Sequence, residues 1–144
     1  MFIRRTTPAE IIAAARQYLG APYLHAGRRP DGCDCVGLLI MTGRDVGVLV
    51  EDSDIPTYNV GNQSRALLAT ITQWLYAIDP AQADPGDVVG LAHEPGKMFP
   101  RHVGILTDGG IIQMSPHAHA CVVEHSFTDE IKSLVVAAWR FPNL

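Results

Sequence analysis

A chain of 144 residues with 47% hydrophobic content is long enough to bury one core without disulfide or metal staples, so a single domain over residues 1–144 is expected. A net charge of -4, with only 11 Lys and Arg and these densest as the pairs Arg4-Arg5 and Arg28-Arg29, offers no broad field for phosphates and excludes nucleic acid as a partner. No stretch approaches the roughly 18 apolar residues of a membrane helix, and MFIRRTTPAE carries charge without a following apolar run, so neither a membrane partner nor an export signal is expected and synthesis in the cytoplasm is.

Thr7, Pro8 and Glu10 read as N-cap, first-turn proline and capping-box glutamate, and Ile11, Ile12, Ala15, Tyr18 and Leu19 recur at helical spacing. The pattern predicts an amphipathic helix over 8–19, stopped by Gly20 and Pro22. Between Ala21 and Gly32 stand Pro22, Gly27, Pro30 and Gly32, too many breakers for regular structure. From Cys35 the run CVGLLIMTGRDVG is apolar on nearly all sides, which suits a short helix buried in the core, with Asp31 and Gly32 as turn and cap residues before it. After a polar stretch from Val50 to Asn62, residues Leu67, Leu68, Ile71, Trp74 and Leu75 mark a further helix over 64–77, ended by Asp79-Pro80. The second half differs: DVVGLA, HVGILT, GIIQMS, ACVVEH and LVVAAWRF are short β-branched runs separated by Gly, Pro or Asp, as in an antiparallel meander. Helices followed by strands predict an α+β domain with helices packed on one face of a sheet of about five to six strands.

The three cysteines are an odd count, and Cys33 and Cys35 are too close for an ordinary disulfide, so at least one thiol is free. Cys35 falls at a helix start, where orphan N–H groups and the positive dipole end favour a thiolate. Position alone does not separate it from a buried apolar cysteine, the reading that suits Cys33 and Cys121. A nucleophilic thiol needs a base, and His102 in RHVGIL is placed for it: alternation puts His102, Gly104 and Leu106 on one strand face, with Gly104 leaving room beside the imidazole. Gln113 lies one hairpin away in the otherwise apolar run GIIQM and suits the third polar residue that fixes the imidazole's orientation. His117 and His119, after Pro116, are rivals for that role on the rim of a cleft. A C-x-C pair and an H-x-H pair do not have usual zinc spacing, so no metal is expected, and phosphate-cradling glycine motifs do not occur.

Taken together, ARQYLGAPYLHAGRRPDGCDCVGLL, then PGDVVG, then RHVGILTDGGIIQM resemble the NlpC/P60 family of papain-like cysteine peptidases, which cut stem peptides of bacterial cell walls. The resemblance runs from about Pro8 to the terminal WRFP and implies the papain-like fold, with Cys35 as nucleophile, His102 as base and Gln113 as the orienting residue. It also implies that Asp34 and Tyr23 line the substrate site, where they would bind a stem peptide's free amine and shape the acyl pocket; the bland alternative is that Asp34 caps the helix and Tyr23 packs the loop. His117 is a further substrate-site candidate.

The chain departs from the family pattern at Val36, where DCSGL has a hydroxyl, at His25 in PYLHAG, where a tryptophan is usual, and at Gln113, where histidine is commoner. The stretches between 40 and 80 and the ending AAWRFPNL look like peptidases of phage tail gene clusters and prophages. The implied activity is hydrolysis of a D-glutamyl amide bond in a peptidoglycan stem peptide, with no cofactor, in a protein carried among phage tail proteins to the cell wall. A structural tail-tip protein without turnover and a papain-like amidase or acyltransferase on another substrate are the alternatives.

Overall fold

The computed structural model describes residues 5–49, 64–115 and 120–142. Helix α1 spans Pro8–Arg16; Thr7 caps it by accepting from the Glu10 N–H, and Ile11, Ile12, Ala14 and Ala15 form its buried side. It is shorter than predicted, because Gln17 to Gly20 continue as turns that lead to a left-handed Gly20. The segment before Cys35 is not wholly irregular. Two-residue strands β1 (Arg28–Arg29) and β2 (Gly32–Cys33) pair across Pro30 and Asp31, so these breakers serve as a hairpin turn.

Helix α2, Cys35–Asp45, is buried from Val36 to Gly43, as its all-round apolar sequence requires. It packs against α1 and against the sheet. Helix α3 covers Ser64–Trp74 and stops before the predicted end. Tyr76–Ile78 instead form strand β3, pairing with the last strand, and Asp79 caps a single 3₁₀ turn over Pro80–Gln82.

The remaining strands are β4 (Val88–Leu91), β5 (His102–Leu106), β6 (Gly110–Met114), β7 (Val122–Ser126) and β8 (Val135–Arg140). With β3 they make one antiparallel sheet ordered β3-β8-β4-β5-β6-β7, so the predicted meander holds for β4 to β7 while β8 returns beside β4. Val88, Val103, Ile105, Ile112, Met114 and Trp139 join the core under α1 and α2. Their neighbours Val89, Leu91, Leu106, Ile111 and Ala138 form a second cluster on the other face, against Phe127, Ile131 and Leu134 around the short helix α4 (Asp129–Lys132). Both faces are therefore covered, which is why these strands read as nearly continuous apolar runs.

The turn that starts β4 depends on two residues. Gly86 has φ +91°, and a Cβ there would lie 2.9 Å from Pro8. Asp87, 1% exposed, accepts from both Arg140 Nε at 2.9 Å and Nη2 at 2.8 Å and so ties β4 to β8.

Candidate active site

The first functional element is the start of α2. Asp34, 4% exposed, is its N-cap: Oδ1 accepts from the Gly37 N–H at 2.8 Å and from Arg28 Nη1 at 3.1 Å, and Oδ2 accepts from the Ala26 N–H at 2.8 Å. The cap is thus Asp34 and not the Asp31-Gly32 pair, whose backbone is occupied by the β1–β2 hairpin. Gly37 makes this packing possible, since a Cβ there would lie 2.2 Å from the Gly27 carbonyl oxygen. The loop, the ion pair and the helix start form one unit around a single carboxylate.

Cys35, the first helical residue, is partly exposed. The backbone N–H groups of Val103, Val36 and Cys35 face its sulfur. Val103 lies just beyond the last rung between β5 and β6, Gly104 opposite Gln113, where the two strands part, and it is the immediate neighbour of His102. The thiol therefore sits against the strand that carries the predicted base. Burial pushes its pKa up to about 12, reinforced by the charge of Asp34 and opposed by those three N–H groups. Helix-terminal stabilisation of a thiolate, expected from position, is outweighed here by desolvation, and the resting thiol is neutral.

His102 opens β5, and its Nε2 lies 3.0 Å from Gln113 Oε1. Burial drives the imidazole down to about 4 against the opposing hydrogen bond to Gln113, so it too rests neutral, as a general base requires. Gln113 is 6% exposed, and its Nε2 contacts His125 Nε2 at 2.7 Å, while His125 Nδ1 lies 3.0 Å from the Ser126 carbonyl. Alternation on β5 is as predicted, with Val103 and Ile105 under the helices and Leu106 on the other face. The space at Gly104 is nonetheless taken by Ile111, whose Cδ1 would lie 2.8 Å from an added Cβ, and not by the imidazole. The diagonal cross-strand neighbour reaches it first.

Tyr23 is 45% exposed, and burial together with the nearby Asp34 and Cys35 raises its pKa. Tyr23, Asp34 and Cys35 are thus brought together on one side, His102 and Gln113 on the other. His117 and its rival His119 lie outside the described residues. His125 was not singled out by sequence reasoning; its only signal is alternation on β7, which turns His125 and Val123 to the face shared by Gln113. Cys33 is fully buried and burial raises its thiol to about 11, so it is a core residue. All three cysteines are free thiols. Among the described residues no cluster of metal-ligating side chains is found, and no helix is long and apolar enough to cross a membrane.

Comparison with known proteins places relatives around this geometry. The model of the NlpC/P60 family matches residues 20–140. The chain is 29% identical over 118 residues, or 81% of its length, to a gamma-D-glutamyl-L-lysine dipeptidyl-peptidase from Bacillus cereus. It is 25% identical over 141 residues, or 96% of its length, to a gamma-DL-glutamyl hydrolase from Bacillus subtilis. It spans only 31% and 30% of those two curated relatives. Among solved structures, the NlpC/p60 domain of the peptidoglycan hydrolase SagA superposes with a TM-score of 0.64 at 25% identity, covering 94% of this chain and 100% of that one.

Proposed function

The chain belongs to the NlpC/P60 family, and from that premise we propose that it is a cysteine peptidase that hydrolyses peptidoglycan stem peptides at a D-glutamyl amide bond. The observation that carries this reading is a single juxtaposition: the thiol at the start of α2 faces the Val103 N–H, one residue along β5 from His102, whose half-buried imidazole is held by Gln113. Glutamyl bonds are the targets named for both curated relatives.

Because thiol and imidazole both rest neutral, the proton moves as the bond forms. Cys35 Sγ attacks the stem-peptide carbonyl carbon while His102 takes the thiol proton; the carbonyl oxygen becomes an oxyanion, bound in part by the Cys35 N–H. His102 then gives that proton to the leaving amine as the C–N bond breaks, which leaves a thioester on Cys35. Water, deprotonated by His102, cleaves the thioester, and the proton returns to the thiolate. Gln113 fixes the plane of the ring throughout. Tyr23 and Asp34 bind the substrate in this reading. Asp34 already accepts from Arg28, so an amine reaches it only by exchanging with that guanidinium. His117 is kept as a substrate-binding candidate on the same reading. The family chemistry calls for no cofactor.

Digestion of purified peptidoglycan, with fragments identified by mass spectrometry, tests the activity and the bond together. Release of fragments that end at D-glutamate is expected, with none from Cys35→Ala; intact sacculi after incubation with the unsubstituted chain would leave a structural protein as the better reading. Phage-tail association rests on the resemblance of residues 40–80 and the C-terminal AAWRFPNL. Proteomics of purified phage particles from the producing strain tests it, and particles lacking this chain end that part.

A further inference from the structure

His125 lies exposed on the edge strand β7, yet both of its ring nitrogens are engaged. Nδ1 is 3.0 Å from the Ser126 carbonyl oxygen, which can only accept, so Nδ1 carries a proton. In the neutral ring Nε2 is then bare and accepts from the Gln113 amide, whose Nε2 stands 2.7 Å away. That orientation turns Gln113 Oε1 to His102 Nε2 at 3.0 Å, and since an amide oxygen only accepts, this nitrogen of His102 is the protonated one. The basic lone pair of His102 is left on Nδ1.

We propose that His125 is a positioning residue that, through Gln113, holds His102 in the tautomer whose Nδ1 receives the Cys35 proton. The inference rests on the peptidase reading for its consequence in turnover, and on geometry alone for the tautomer. A carboxylate in the place of Gln113 would choose this tautomer unaided, because both of its oxygens accept. A glutamine does not choose: its amide turned over would present NH₂ to His102 and force the proton onto Nδ1. The Ser126 carbonyl and the His125 ring remove that ambiguity.

The test is made on the full chain with ¹⁵N-labelled histidine. In the unsubstituted protein the nitrogen shifts of His102 are expected to show the Nε2–H form. His125→Glu, whose carboxylate only accepts, is expected to keep that form and kcat within about fivefold. His125→Lys, which can only donate, is expected to convert His102 to the Nδ1–H form and lower kcat roughly 100-fold with little change in KM, the kind of loss a wrong tautomer causes. Adding Gln113→Glu to His125→Lys supplies an acceptor to both neighbours and is expected to recover most of that loss. An unchanged His102 tautomer in His125→Lys, or a loss in that variant that Gln113→Glu does not recover, overturns the proposal. If the unsubstituted chain releases nothing from peptidoglycan, the peptidase reading falls while the nitrogen shifts still decide the tautomer.

Discussion

The thiol side of the site is organised by one charge and the imidazole side by none. Asp34 gathers the Gly37 and Ala26 amides and the Arg28 guanidinium into a unit that spans twelve residues of sequence from Ala26 to Gly37. Opposite it, His102, Gln113 and His125 are joined by neutral hydrogen bonds across three strands. A buried carboxylate with three donors is a strong local anchor, because removing it strands every donor at once. A neutral relay is weaker energetically but transmits a choice of proton position. The comparison predicts that substitutions on the thiol side, Cys35 apart, are felt in stability, and those on the imidazole side in turnover.

The largest effect is expected on the imidazole side. On the proposed activity, His102→Ala should lower turnover of peptidoglycan fragments by about 10³-fold or more, the order lost when a general base is removed. Gln113→Leu should lower it by roughly 10² while costing about 1 kcal/mol in urea unfolding. Stability losses larger than the activity losses in these variants would reverse the comparison. On the thiol side, Asp34→Ala should cost about 3 kcal/mol, since two amides and an ion-paired guanidinium with 16% side-chain exposure lose their acceptor. Chemical unfolding of this variant beside Gln113→Leu measures the contrast directly.

Next in size is a dependence of stability on pH that the two sides share in opposite directions. His102 is held at about 4 in the fold, below the ordinary 6.5 of the unfolded chain. As pH falls from 6.5 the unfolded chain takes up a proton that the native state refuses, so stability present above 6.5 is lost down to about 4, by roughly 3 kcal/mol at most. Cys35 is raised from 9 to about 12, so stability present below 9 is lost as pH rises towards 12. Unfolding free energies measured across this range should show a plateau between those limits, with the acid limb flattened in His102→Gln and the alkaline limb reduced in Cys35→Ala to the part that the buried Cys33 supplies. Iodoacetamide should likewise alkylate Cys35 faster as pH rises, with no fast plateau between pH 5 and 7; such a plateau would reveal a thiolate–imidazolium pair instead.

The same contrast governs what could be read from the sequence. Cys35 at a helix start, Gln113 one hairpin from His102, and the five strands of the second half are local or nearest-neighbour features, carried by turn residues and alternation. Of the two cap readings Asp34 holds and Asp31-Gly32 does not, because those earlier residues were spent on a hairpin, which two-residue strands do not announce. Strand β3 was hidden because the helical pattern of α3 runs on past Trp74, and only pairing with β8 ends it. His125 was hidden for a deeper reason. Its contact with Gln113 is a diagonal across the β6–β7 pair, fixed by the register that sets Gln113 opposite Val123, and register between strands follows from their joint packing and not from either run alone. The space at Gly104, expected beside the imidazole, was filled by Ile111 through a diagonal of the same kind.

The smallest effect concerns Ala26, which lies at φ 58°, a left-handed conformation that costs an L-residue about 1–2 kcal/mol. Its N–H is one of the three donors on Asp34, so the carboxylate holds the backbone in a shape that the side chain opposes. Ala26→Gly relieves that opposition but gives the unfolded chain more freedom to lose, which offsets part of the gain. The net expected is a stabilisation of about 0.5–1 kcal/mol, read as a rise of roughly 2–4 °C in Tm. In the Asp34→Ala background the loop is no longer held to a carboxylate and can relax, so the same Ala26→Gly change should gain nothing there. Equal gains in both backgrounds would mean that the strain is set by the hairpin and not by Asp34, and that the thiol side has a second anchor.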